Sequence, residues 1–248
     1  MRRTAVSVCF ALTVVGLITV PAGRADCLDL TTLGASGTIN NAIFMQGDLS
    51  TSTGTGVIDS FVRVENAGVE HGYNTDGQRE FDTKGGGFTH SLQLKDVPTV
   101  SVLGVLYREF MLDINETGGD PSFISLDKLK IHIESVGDLT GYDANFSTPV
   151  YDLDHGADNW IRLDYDLASG SGSGDMFAFI PSSLFGSDGN KFVYLYSMFG
   201  VKELAEDGFE EWAVGEGGLP ITPEPASLSV LAAGTCVLLL RRSRRPVG

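Results

Sequence analysis

The chain has 248 residues, of which 32 are acidic and 17 are basic, so its formal net charge at pH 7 is −15. A surface this acidic repels the phosphates of nucleic acids and anionic lipid headgroups, which excludes both as partners on grounds of charge. The length is enough for one domain with a sizeable hydrophobic core.

Residues 1–25 have the organisation of a secretory signal peptide. Arg2 and Arg3 form a basic start, the stretch Ala5–Val20 is apolar, and small residues ending at Ala25 suit a cleavage site. The sequence therefore predicts that the body of the chain is exported, and this segment takes no part in the fold.

Cysteine use in the body is sparse. The chain has three cysteines: Cys9 lies in the signal peptide, Cys236 lies in an apolar C-terminal stretch, and only Cys27 belongs to the body. An internal disulfide is therefore impossible in the body, although the compartment is oxidising. The fold must be stabilised by core packing or by a bound metal.

Residues 26–214 are predicted to form one domain made of consecutive β-strands. Apolar and polar residues alternate in Phe110–Ile114, Leu129–Ile133 and Ile161–Tyr165, which is typical of strands with one buried and one exposed face. The stretch Lys191–Phe199 is apolar on both faces and is predicted to be a central strand. Six more candidate strands have turn signals around them: Thr38–Gln46, Gly56–Val64, Thr89–Leu94, Thr99–Leu106, Met176–Ile180 and Phe209–Val214.

A total of about nine or ten strands predicts an all-β fold, an antiparallel β-sandwich that is either jelly-roll-like or immunoglobulin-like. No segment of the body has a 3.6-residue apolar period over three turns, and only Pro181–Phe185 suits a short helical turn. On the same alternation, His132 is expected on the exposed face of its strand.

The first of two acidic loops begins at the end of a predicted strand. Asp113, Asn115 and Asp120 lie in the stretch DINETGGD, where alternating oxygen side chains precede a glycine, as at the start of a calcium-binding loop. Ile124 occupies the twelfth position, where an EF-hand has a bidentate glutamate, so a full EF-hand is excluded. A looser calcium loop remains open.

The second acidic loop contains Asp152, Asp154 and Asp158. Because the body has no disulfide and these side chains offer hard oxygen ligands, the sequence predicts one or two Ca²⁺ ions that tie the two loops to the sandwich. The alternative is that these residues only form turns and bind no metal.

Signatures of catalysis are missing from the sequence. Gly172 stands at the centre of GSGSG, where a nucleophile elbow requires serine, and the four histidines have no metal-ligand spacing. The protein is therefore predicted not to be an enzyme. The alternative is an extracellular polysaccharide-active enzyme that uses paired carboxylates.

The C-terminus has three parts in a fixed order. Residues 215–222 form a glycine-rich linker, and Pro223, Glu224 and Pro225 form a rigid triplet. The predicted membrane span 226–240 gives about 22 Å of helix, which fits a bilayer when the arginines that follow it snorkel. This basic tail holds its end of the span in the cytoplasm.

The segment 223–248 resembles the PEP-CTERM sorting signal that exosortase enzymes recognise in exopolysaccharide-producing bacteria. The body also looks like a group of uncharacterised PEP-CTERM exported proteins, through stretches such as Phe110–Glu116 and Ser125–Ile131. The resemblance implies exosortase and, transiently, the membrane as partners, and a final location at the cell surface or outside the cell. It implies a binding or structural role beside extracellular polysaccharide or biofilm, and it assigns no catalytic residue.

Overall fold

The computed structural model describes residues 26–47, 58–116, 122–167 and 174–215. Within these ranges the fold is all-β, with two short 3-10 turns, Leu94–Asp96 and Ser182–Leu184. The predicted signal peptide, most of the linker and the sorting signal lie outside the described residues. Among the described residues no helix is long and apolar enough to cross a membrane.

Fourteen strands are numbered here in chain order over the described ranges. They are β1 Cys27–Asp29, β2 Ser36–Ile39, β3 Ala42–Gln46, β4 Ser60–Val64, β5 Glu70–Tyr73, β6 Leu92–Gln93, β7 Thr99–Val102, β8 Val105–Asn115, β9 Phe123–Glu134, β10 Tyr151–Asp152, β11 Trp160–Asp164, β12 Met176–Pro181, β13 Phe192–Phe199 and β14 Phe209–Val214.

The strands form two sheets of seven strands each. The first has the order β1-β11-β9-β13-β5, with β10 beside β9 and β6 beside β13. The second has the order β2-β3-β12-β8-β14-β4, with β7 beside β8. Strands β1 and β11 run parallel, whereas the long strands pair antiparallel. Two antiparallel-rich sheets agree with the predicted all-β class.

The two sheets share one hydrophobic core, which is consistent with a β-sandwich. Leu112 and Trp212 of the second sheet and Leu126 and Leu195 of the first belong to the same buried cluster. The indole Nε1 of Trp212 donates a hydrogen bond of 3.1 Å to the hydroxyl of Ser197 on β13, so a polar contact also joins the sheets inside the core.

Several predicted strands are confirmed and three need correction. Thr89–Leu94 is too long as a strand, because only Leu92–Gln93 is one and Leu94 begins a 3-10 turn. Phe110–Ile114 lies within β8, and Lys191–Phe199 contains β13, which is paired on both sides as a central strand should be. Thr38–Gln46 is wrong as a single strand because Asn40 and Asn41, with φ of 50° and 66°, form the turn between β2 and β3. Asparagine tolerates this left-handed conformation better than most residues.

The stretch Thr99–Leu106 is the third correction. The chain turns at Leu103 and Gly104, whose φ angles are 51° and 84°, and this turn joins β7 to β8 as a hairpin. The apolar run continues through the turn, so hydrophobicity alone does not mark it. Leu103 is 82% exposed at the tip.

The prediction for His132 is wrong, because its side chain is only 2% exposed. Residues 139–146 fold back over the outer face of the first sheet, where Tyr142 stacks on Tyr196 with ring centroids 4.2 Å apart and Phe146 packs edge-on against His132. His132 Nδ1 donates to the carbonyl of Ser147 at 2.7 Å, and burial lowers the pKa of the imidazole. Alternation predicted the face of His132 but not the segment that covers it.

Candidate functional site

The predicted first calcium loop begins on the outer face of the second sheet. Asp113 is the neighbour of core residues Leu112 and Ile114 on β8, so its side chain lies on the opposite face from theirs, where it is buried. Its Oδ2 accepts a hydrogen bond of 2.6 Å from Asn115 Nδ2. Asp120, the third predicted ligand, lies outside the described residues, and calcium binding at this loop stays a prediction.

Asp175 lies next to this position and is a second buried acid. Its Oδ2 accepts a hydrogen bond of 2.7 Å from the backbone N–H of Ile114, whereas its Oδ1 is buried with no hydrogen-bond partner. Burial raises the pKa of Asp175 to about 8, and the nearby charges of Asp113 and Asp164 act in the same direction. The carboxyl of Asp175 therefore keeps its proton at pH values well above those at which an ordinary aspartate is ionised.

The second predicted loop forms a hydrogen-bonded turn after β10. Asp152 accepts the backbone N–H of Asp154 at 3.0 Å, and Asp154 accepts that of Asn159 at 3.1 Å. Asp158 pairs with Lys202 at 3.2 Å, and Asp152 lies 4.0 Å from Lys130. These contacts give each of the three aspartates a structural role in the turn, and calcium binding by them also stays a prediction.

A different set of acids converges between the sheets. One carboxylate oxygen each from Glu70, Glu116 and Glu210 lies within 4.8 Å of the other two, and this is the one such group of three among the residues that the structure describes. Glu70 and Glu210 are fully buried, and Glu116 is half-buried. We call these three residues the glutamate triad.

Strand alternation places the glutamate triad on the inner faces of the sheets. Glu210 on β14 pairs with Ile114 on one side and Val64 on the other, and both neighbours belong to the core. In the other sheet, Glu70 on β5 pairs with the neighbouring strand β13, opposite core residue Phe199. Glu116 follows β8 two positions after Ile114. The triad thus joins the ends of three strands from both sheets.

Backbone groups hold two of the three carboxylates in place. Glu116 accepts the N–H groups of Glu206 and Gly208, at 2.9 and 3.1 Å, one on each oxygen. Glu70 Oε2 accepts the N–H of Asn66 at 2.6 Å. A Cβ on Gly208 would lie 2.3 Å from the carbonyl oxygen of Asn115, so only glycine lets this loop approach Glu116 so closely.

Three buried oxygens of the triad lack any hydrogen-bond partner. They are Oε1 of Glu70 and both carboxylate oxygens of Glu210. Leaving such a group unsatisfied costs about 1–3 kcal/mol, and more when it is charged. The second sheet therefore carries at Glu210 an acid whose oxygens find no donor within the described protein.

The charged side chains that raise the pKa values of Glu70 and Glu116 are all acidic. The pKa of Glu70 is raised to about 8, mainly by burial and also by the charges of Glu116, Asp82 and Glu65, although the hydrogen bond from the Asn66 N–H acts in the opposite direction. Burial also raises the pKa of Glu116. None of the ion pairs found in the described ranges includes a triad residue. Because no cation of the described residues lies within ion-pair distance of them, the three acids suit a proton or a metal cation as counter-charge.

The chemistry of the triad is that of a hard cation site. All three ligands are carboxylates, and no histidine or cysteine belongs to the group. Such sets favour Ca²⁺, Mg²⁺ or Mn²⁺ over the softer metals. Sequence reasoning missed the triad, but one signal was available: Glu210 has the same alternation phase as Trp212, and Glu116 has that of Leu112 and Ile114, so both acids lie on the apolar phase of a strand.

An open cleft lies away from the triad, where strands of both sheets contribute to its lining. It has a volume of about 370 Å³, and its polar lining includes Asp59, His90 and Asp96 beside the aromatic rings of Phe61 and Phe192. The two carboxylates of the cleft, Asp59 and Asp96, are exposed to solvent, whereas Glu70 and Glu210 of the triad are buried.

Comparison of the chain with protein-family models, with curated proteins and with solved structures found no match. The class that the geometry defines is an all-β protein of two sheets with an acidic centre between them.

Proposed function

We propose that this protein is an exported component of the cell surface or extracellular matrix, processed by exosortase, with a non-enzymatic binding or structural role linked to exopolysaccharide or biofilm. The observation that carries the proposal is the order of triplet, apolar span and basic tail in 223–248. The signal peptide at the other end of the chain supports the same route.

The proposed route has three stages. The signal peptide directs the chain across the membrane, the span 226–240 holds it there with the arginines in the cytoplasm, and exosortase then acts near Pro223, Glu224 and Pro225. The β-sandwich, jelly-roll-like or immunoglobulin-like, is the part that reaches the surface.

The buried acids support a non-enzymatic role. Glycosidases need two carboxylates on either side of a sugar bond, about 5–9.5 Å apart and open to substrate. The convergent carboxylates here lie between the sheets, and Glu70 and Glu210 are fully buried, so a polysaccharide chain has no access to them.

Replacing Pro223, Glu224 and Pro225 together by alanine tests the sorting role. We expect the variant to be exported and then retained in the membrane, because exosortase no longer recognises the tail while the apolar span still anchors it. The measurement is the distribution of protein between membrane and medium in a host that has exosortase. A matched control replaces Ile221 and Thr222 by alanine and should be released normally. Normal release of the triplet variant would refute the proposal.

The alternative function is an extracellular polysaccharide-active enzyme. The observation that favours it is the cleft with Asp59 and Asp96, which offers two accessible carboxylates. Hydrolysis of an extracellular polysaccharide by the purified protein, lost in Asp59→Asn and Asp96→Asn, would replace the non-enzymatic proposal. If the unchanged protein and both variants all fail to hydrolyse the polysaccharide, the result supports the binding or structural role.

A further inference from the structure

We propose that the glutamate triad binds one Ca²⁺ ion between the two sheets. This site differs from both acidic loops that the sequence predicts. It also goes beyond the sorting and surface role, because it rests only on the described side chains and not on where the protein is delivered.

The spacing of the three oxygens fits one shared ion. Calcium lies about 2.3–2.6 Å from each oxygen ligand, so two ligands on opposite sides of one ion are at most about 5 Å apart. The three triad oxygens lie within 4.8 Å of one another. One ion can therefore contact all three without a change in the positions of the strands.

The unpartnered oxygens are the independent sign of a ligand. Glu210 is fully buried, and neither of its carboxylate oxygens has a hydrogen-bond partner; Glu70, equally buried, leaves Oε1 without one. Buried polar groups in folded proteins nearly always have partners. Of the five buried side-chain oxygens without a partner in the described residues, three belong to Glu70 and Glu210, and a cation at the point where these residues converge satisfies them together.

Calcium fits the site better than the other hard cations. Magnesium prefers octahedral geometry at about 2.0–2.1 Å and usually keeps several waters, whereas calcium accepts irregular cages made largely of protein oxygens. Core residues Val64, Ile114 and Phe199 are the cross-strand partners of Glu210 and Glu70, and the ligands of the triad come from β5, β14 and the position after β8. Zinc is disfavoured because the set has neither sulfur nor imidazole.

Binding would connect parts of the chain that are distant in sequence. Glu70 lies in the first sheet, Glu210 lies in the second, and Glu116 is held by the N–H groups of Glu206 and Gly208 in the segment before β14. The ion therefore crosslinks the sheets and this segment at one end of the fold, a function that disulfides serve in many secreted proteins.

The test is a thermal melt of the full-length chain, purified in mild detergent, with millimolar CaCl₂ and again with EGTA. At a free calcium concentration 100 times the dissociation constant, the midpoint should rise by about 5–10 °C. MgCl₂ at the same concentration should give a smaller shift. An equal or larger shift with magnesium would overturn the assignment to calcium.

The matched variants are Glu210→Gln and Asp154→Asn. Each replaces one carboxylate by its isosteric amide, but only the first changes the triad, and the second changes the turn that the sequence predicts as a calcium loop. We expect Glu210→Gln to lose the calcium shift while its midpoint in EGTA equals or exceeds that of the parent, because a buried charge is removed. Asp154→Asn should keep the full shift.

Glu116→Gln provides a second variant should Glu210→Gln fail to fold. Its two hydrogen bonds come from backbone donors, and one of the two amide atoms can still accept. Loss of the calcium shift in Asp154→Asn but not in the triad variants would move the site to the turn and overturn the proposal. Absence of any calcium shift in the parent chain would also overturn it.

Discussion

Replacing Trp212 by alanine is expected to lower the free energy of unfolding by about 3–5 kcal/mol, the usual cost of a large cavity in a core. Trp212 is fully buried, and its indole N–H donates to Ser197 on the facing sheet. The variant therefore loses packing between the sheets and leaves a buried hydroxyl without its partner. The measurement is urea unfolding followed by far-UV circular dichroism.

Trp160 provides the control for this prediction. It is the other of the two tryptophans in the chain, and it is half-buried on β11, beside the edge strand β1. Trp160→Ala should lower the free energy of unfolding by less than Trp212→Ala does, because the half-buried Trp160 removes less buried apolar surface. Trp212→Phe keeps most of the ring and removes the hydrogen bond, for an expected cost of about 1–3 kcal/mol. Equal costs at the two tryptophans would contradict a core position for Trp212.

Asp175→Asn is expected to stabilise the protein at pH 8 and to have little effect near pH 4. The pKa of Asp175 is about 8 in the folded protein, against 3.8 for an ordinary aspartate. Below pH 4 both the folded and the unfolded state carry the proton. Between pH 4 and pH 8 only the folded state keeps it, so the stability contributed by this group falls as pH rises through that window and is lost above pH 8.

The size of this effect follows from the gap between the two pKa values, which corresponds to on the order of 5 kcal/mol at pH 8. An asparagine carries no charge at any pH, and its side-chain oxygen can still accept the N–H of Ile114. Melting both proteins in chelator from pH 4 to pH 8 isolates Asp175, since all other acids are common to the two. A difference between the melting points that does not grow with pH would show that Asp175 titrates normally.

The strands of this fold were largely readable from the sequence because alternation is a local property. In Phe110–Ile114 the alternation indicates which residues face the core, and Phe110, Leu112 and Ile114 of β8 do belong to the core. The short strands β1, β5 and β10 were missed. Glu70–Tyr73 contains a charged residue, a histidine and a glycine, and it becomes a strand only because β13 offers a partner.

The glutamate triad could not be predicted in full because it depends on how strands are ordered in space. Glu70, Glu116 and Glu210 are far apart in the chain, and they meet only when β5 in one sheet faces β8 and β14 in the other. The acids Asp152, Asp154 and Asp158 are close in sequence, and they were predicted as calcium ligands for that reason. Their proximity is equally well explained by a turn that uses their oxygens for backbone hydrogen bonds.

Strand β14 also determines how the domain bears a mechanical load. It is the last described strand before the proposed sorting segment, and it lies inside its sheet, with β8 on one side and β4 on the other. A pull on the tail is applied along β14 and shears two rows of hydrogen bonds at once instead of peeling a strand from an edge. Resistance to such a pull is governed by the rate of forced unfolding. A protein tethered to a surface through this end would thus bear drag through a strand that is hydrogen-bonded on both sides.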